Sequence, residues 1–137
     1  MKTIDCRGMA CPAPVITVKK ALEEQTELRV LLITSDLLGN GPEELGAVLM
    51  KNFIHTLLEA AEIPDRMLFM NRGVLLTTEG SDVLEALEKL AGMGVEIFSC
   101  GLCLDFFNLK AKLQAGATTN MLMTVDSLLA AGQVIKL

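Results

Sequence analysis

The hydrophobic positions of this chain change period repeatedly along its length. Lys2–Asp5 reads as a short strand, and Cys11-Pro12-Ala13-Pro14 opens a helix to about Glu24 with Val15, Val18, Ala21 and Leu22 on one face. Proline suits that first turn, because the first amides of a helix have no intrahelical partner. Leu28–Thr34 contains the unbroken apolar run Val30-Leu31-Leu32-Ile33, the pattern of a strand covered on both faces. After the loop Asp36–Gly41, Pro42 starts a helix whose stripe Leu45, Val48, Leu49, Phe53, Leu57 and Leu58 has the 3.6-residue period of a core-facing side. Pro64 is expected to end it.

Arg66–Met70 predicts a second buried strand, followed by the loop Asn71-Arg72-Gly73. Ser81 is placed to cap a helix bearing Val83, Leu84, Leu87 and Leu90, with Gly92 or Gly94 at its end. Val95–Ser99 predicts a third strand that runs straight into Cys100, and Leu104–Leu113 a broken helical stretch. Beyond Gly116, Asn120 caps a helix to Ala131, Gly132 stops it, and Val134–Leu137 reads as a last strand. Strands alternating with helices predict an α/β fold, an open and mainly parallel sheet doubly wound with helices.

At 137 residues this is one domain, or one domain with a short appendage. Half of the residues are hydrophobic (51%), which predicts apolar surface buried against other subunits. No run reaches the roughly 18–20 apolar residues a membrane helix needs. The charged start Met1-Lys2-Thr3-Ile4-Asp5 lacks the apolar stretch of a signal peptide, so a reducing cytoplasm is the expected location. A formal net charge of −5, with no Trp and no Tyr, argues against nucleic acid as a partner.

The four cysteines form two clusters, Cys6/Cys11 and Cys100/Cys103. In a reducing compartment such clusters point to catalysis, redox work or metal rather than to a disulfide framework. Cys100 follows a predicted strand and so belongs at the carboxyl edge of the sheet, where open α/β folds bind ligands. A helical turn starting there favours the thiolate, the form that attacks disulfides and persulfides, and Cys103 stands three residues on to resolve or relay. Three other readings stay open. The thiols are structural; or they form a thioredoxin-type redox pair, although Pro64 is the last proline and precedes them; or zinc takes all four cysteines, although Cys6 and Cys11 are five apart. Cys11, just before Pro12 at a helix start, is likewise a candidate reactive thiol or an inert capping residue.

Other signals are weaker. Gly39-Asn40-Gly41 lacks the third glycine of a dinucleotide fingerprint, and Glu43 and Glu44 would repel a phosphate there. His55 reads as a surface or interface residue. Arg72 faces the edge that carries Cys100, either to steady a thiolate or bound anion or simply as a solvated charge.

Two family resemblances cover the chain. Asp5-Cys6-Arg7-Gly8-Met9-Ala10-Cys11-Pro12-Ala13-Pro14-Val15, with Lys19-Lys20-Ala21-Leu22, resembles the opening of TusA/SirA-like sulfur carriers, whose Cys-Pro-x-Pro cysteine carries a persulfide. From Leu28 to Leu137 the chain resembles DsrE/DsrF-like domains, with the closest likeness to the YedF-type, selenium-metabolism branch. The matching stretches include Thr34-Ser35-Asp36 through Gly46, Asn71-Arg72-Gly73-Val74 through Gly80-Ser81, and Gly94-Val95 through Asp105. The division is residues 1–26, an incomplete TusA/SirA-like strand–helix segment, and residues 27–137, the DsrE/DsrF-like domain.

The resemblance implies a relay of sulfur or selenium as persulfide or perselenide, by a sulfurtransferase-type carrier. Cys100 is then the acceptor, Cys103 the extra thiol of the branch and Cys11 a further carrier site. It also implies donor and acceptor proteins as partners, a homo-oligomer (trimer or hexamer) and no cofactor. The alternatives are a non-catalytic assembly or regulatory module with structural or zinc-bound cysteines, and a dithiol–disulfide oxidoreductase.

Overall fold

The computed structural model describes residues 28–137. The strand and helix expected over residues 2–24 lie outside the described residues. Within them the order is β1 (Arg29–Ile33), α1 (Glu43–Leu57), β2 (Arg66–Phe69), a 3-10 turn (Asn71–Leu76), α2 (Leu84–Gly92) and β3 (Glu96–Cys100). There follow α3 (Gly101–Phe106), a 3-10 turn (Lys110–Lys112), β4 (Ala117–Thr119), α4 (Met121–Ala130) and β5 (Gln133–Lys136). The strands form one sheet in the order β4-β3-β2-β1-β5, and every neighbouring pair is parallel.

The chain steps across the sheet in one direction from β1 to β4, then returns past all of it to place β5 beside β1. Right-handed crossovers put α1 and α2 on one face and the returning α4 on the other. The packing agrees. Leu31, Ile33, Met67, Phe69 and Ile97 share a core with Met50 and Ile54 of α1 and with Leu87 and Leu90 of α2. On the opposite face Arg66 donates to Ser127 of α4 (2.7 Å).

Strand β4 was not foreseen; three residues, Ala117-Thr118-Thr119, offer too short a pattern. What admits it is Gly116, whose φ of +73° and approach to the Ile97 carbonyl leave no room for a side chain, since a Cβ there would fall 2.2 Å from that oxygen.

Helix α1 lies where expected but is rotated from the stripe that the sequence suggests. Leu45, Val48 and Leu49 are exposed, Val48 by 63%, while Gly46, Met50 and Ile54 face the core. The helix is apolar on two sides, so periodicity alone does not choose between them. Gly46 decides the rotation: a Cβ there would lie 3.0 Å from the Leu37 Cβ, so the loop can close only on this face. Three boundaries also differ. α1 ends at Leu57, well before Pro64. α2 begins at Leu84, with Ser81 instead accepting from the Val83 amide (3.2 Å) in the turn before it. The stretch after Asn71 is a 3-10 turn rather than an open loop.

Candidate functional site

β3 ends at Cys100, and α3 begins at the next residue, so the Cys100 thiol caps the helix: its sulfur accepts from the Cys103 amide at 3.3 Å. The expected helical turn at Cys100 is therefore present, and the broken stretch placed at Leu104–Leu113 starts earlier, at Gly101. Cys100 is buried, with 5% of its surface exposed, and Cys103 is half-buried one turn on. Gly101 between them is constrained by β4, because a Cβ there would meet both the Thr118 methyl and the Thr119 carbonyl at 3.3 Å.

The second thiol is held from another element. The Asn71 amide donates to the Cys103 sulfur at 3.1 Å. Asn71 adopts a left-handed φ of +53°, an uncommon conformation that asparagine tolerates better than most residues. The turn is pinned to the end of β1 by the Met70 amide on the Ile33 carbonyl (3.0 Å) and by Gly73, which lies against that same carbonyl. Burial pushes the Cys103 thiol up, the hydrogen bond with Cys100 pushes it further, and the Asn71 amide works against both. Cys103 therefore holds its proton more firmly than an ordinary cysteine does.

Beneath the thiols, the Ser99 and Thr77 hydroxyls share a fully buried hydrogen bond (2.7 Å), and Thr77 also donates to the Val74 carbonyl (3.0 Å). This ties β3 to the 3-10 turn that carries Asn71. Beside Cys100 opens a cavity of about 470 Å³ lined by Gly101, Lys110, Thr119, Asn120 and Met123 among others. The Thr119 hydroxyl has no hydrogen-bond partner among the described residues. Lys110 is held beside Asp105 (3.2 Å), and exposed Leu102 and Phe106 flank the helix.

Of the residues singled out in the sequence, Cys100 and Cys103 come together; Cys6 and Cys11 lie outside the described residues. Arg72 does not serve the thiols. It pairs with Asp36 (Nε to Oδ1 3.1 Å), which raises its pKa, and it is the neighbouring backbone amide of Asn71 that reaches Cys103. That contact, and the lining from Lys110 and Thr119, had no signal in the pattern, since each depends on elements brought together by the sheet. His55 is exposed in the last turn of α1, as expected of a surface residue. Among the described residues no group of three or more His, Cys, Asp and Glu side chains is arranged to hold a metal ion. No helix among them is long and apolar enough to cross a membrane.

Comparison with known proteins adds two findings. A family described as Sulfurtransferase TusA matches residues 2–37. Among solved structures, the ychN protein from E. coli superposes with a TM-score of 0.61 at 17% identity, over 80% of this chain and 99% of its own. The described residues of this chain share the fold of that protein. A protein of unknown function from Methanobacterium thermoautotrophicum, MTH1491, has the same architecture, with a TM-score of 0.58 and 16% identity over 81% of this chain and all of its own. No curated protein matches the chain significantly. The TusA match is confined to residues 2–37. That match runs on through β1, so the matched segment includes one strand of the sheet.

Proposed function

We propose that the protein relays sulfane sulfur, or selenium in the same oxidation state, on Cys100. The observation that carries this reading is a cysteine at the carboxyl edge of a parallel sheet, capping a helix, with a cavity on one side and a second thiol one turn away. In the first step the Cys100 thiolate attacks the outer sulfur of a donor persulfide. The donor S–S bond breaks, a new S–S bond forms on Cys100, and the donor leaves as a thiol. An acceptor thiolate then repeats the exchange on the outer sulfur and restores Cys100, so no net oxidation occurs.

Cys103 has two roles open to it. It takes the outer sulfur itself, or it attacks the inner one. The latter closes a Cys100–Cys103 disulfide and expels hydrosulfide, and an external thiol reductant must then reset the pair. Its raised pKa supports the slower, second role. Donor and acceptor are read as proteins that dock over the cavity, where the lining residues Leu102 and Met121 are exposed. Exposed Leu122, Val125 and Leu129 of α4 also support a homo-oligomer, for which the resemblance implies a trimer or hexamer. Free thiols of this kind need a reducing compartment such as the cytoplasm.

Intact-mass measurement after exposure to cysteine persulfide tests the proposal. A gain of one sulfur is expected in the wild type and in Cys103→Ser, and none on that peptide in Cys100→Ser. Tight stoichiometric zinc without any adduct would instead select the assembly module. Turnover of a disulfide substrate with reversible loss of two hydrogens, and no sulfur gain, would select the oxidoreductase. Parallel loading with a selenium donor reads which element is held longer.

A further inference from the structure

Of the six buried polar residues among those described, five have hydrogen-bonded hydroxyls. Thr77 and Ser99 bond to each other, and Thr78 donates to the Val74 carbonyl (3.2 Å). Thr124 donates to the Asn120 carbonyl (3.1 Å), and Ser127 accepts from Arg66. The sixth is Thr119. Only 9% of its surface is exposed, and its hydroxyl has no partner among the described residues. A buried hydroxyl left unpaired destabilises the fold, so its surroundings should show what it is kept for.

Thr119 stands beside the reactive thiol. In the parallel ladder between β3 and β4 it is the register partner of Cys100. Side chains alternate between faces along each strand, so the two share a face, on strands about 4.8 Å apart. Both line the cavity of about 470 Å³. Gly101 holds them in that relation, because the first turn of α3 packs directly on the Thr118 methyl and the Thr119 carbonyl. The Cys100 sulfur is not bonded to the Thr119 hydroxyl; it accepts from the Cys103 amide instead. The hydroxyl is thus placed for an atom that lies beyond that sulfur.

We infer, resting on the relay reading above, that this atom is the outer sulfur or selenium of loaded Cys100, and that the Thr119 hydroxyl holds it in the cavity. A sulfur–sulfur bond is about 2 Å long, enough to carry the outer atom from Cys100 toward the neighbouring strand. A hydroxyl suits that atom in either protonation state: it donates to the anion and accepts from the protonated form. Each sulfur of the loaded cysteine then has its own partner, the Cys103 amide for the inner one and Thr119 for the outer one. The cargo lies on the cavity side, and Cys103 is not among the residues lining that cavity.

Two readouts of opposite sign test this on the full chain. Thr119→Val keeps the shape and removes the hydroxyl, whereas Thr119→Ser keeps the hydroxyl. Without cargo the valine variant should unfold about 2–4 °C higher than wild type, because the unpaired hydroxyl is gone. For the loaded state, Cys103→Ser chains are charged with cysteine persulfide and the Cys100 peptide is followed by mass spectrometry. With valine at 119 the added sulfur should be lost about ten-fold faster, the effect of one hydrogen bond to a charged atom, and with serine within about two-fold of threonine. Equal loss from the valine and threonine chains, both having loaded, overturns the assignment and leaves the relay standing. A Cys100 that takes up no sulfur in any variant sinks both. The pH profile of Cys100 alkylation, read without cargo, should be the same in Thr119→Val as in wild type; a shift would put the hydroxyl on the inner sulfur and overturn the assignment.

Discussion

Replacing Gly73 by alanine tests whether the turn that serves Cys103 is held by backbone contact with β1. An alanine Cβ at that position would fall 2.3 Å from the Ile33 carbonyl oxygen and 3.0 Å from its carbon. Neither atom can rotate away, because Ile33 sits in the sheet and its carbonyl already accepts from the Met70 amide. The turn must lift by most of an ångström. Overpacking of this kind costs about 1–3 kcal/mol. Loss of the Asn71 amide from the Cys103 sulfur adds about 1 kcal/mol. The expected total is therefore about 2–4 kcal/mol, a large share of the stability of a small domain.

Urea unfolding monitored by circular dichroism reads this total. Gly92→Ala is the control: nothing lies within 4 Å of its Cβ position, and alanine there should be neutral or slightly stabilising. The thiol gives a second readout. With the lowering amide withdrawn, the pH at which Cys103 becomes alkylable should rise. A Gly73→Ala protein within about 0.5 kcal/mol of wild type, with unchanged Cys103 reactivity, would show that neither the contact nor the hydrogen bond acts as argued.

Two further outcomes follow from the geometry. Ile54→Ala, on the buried side of α1, should cost about 2–5 kcal/mol in urea unfolding, whereas Val48→Ala on the exposed side should stay within about 0.5 kcal/mol; equal losses would contradict the rotation of the helix. Cys103 has its folded pKa raised above the ordinary thiol value of 9.0, so its contribution to stability is present below that value and lost as pH rises through the folded pKa. The stability difference between wild type and Cys103→Ala should shrink on going to alkaline pH, and a difference that grows would reverse the assigned sign.

Much of this protein was determined locally. Val30–Ile33 reads as a covered strand because its apolar residues are consecutive, and it is one; Asn120 reads as a cap, and its side chain accepts from the Met123 amide at 2.8 Å. The position of Cys100 at a strand end also followed from order along the chain, since a strand followed at once by a helix must turn at the sheet edge. Such features depend on neighbours a few residues away, which the sequence states directly.

Tertiary structure decided the rest. Which side of α1 enters the core was settled by Gly46 meeting Leu37 in the preceding loop, because a helix apolar on two sides has no preference until its loop closes. Strand β4 exists because Gly116 can touch Ile97, and the partner of Cys103 is an amide 32 residues away in a turn that was read as a loop. Arg72, the charged residue that the pattern offered to the thiols, is taken by Asp36. Apart from the Gly46–Leu37 contact, which joins a loop to the helix directly after it, the deciding contacts join segments distant in sequence. Their proximity comes from the order of the strands in the sheet, a property that hydrophobic period carries only for each segment by itself.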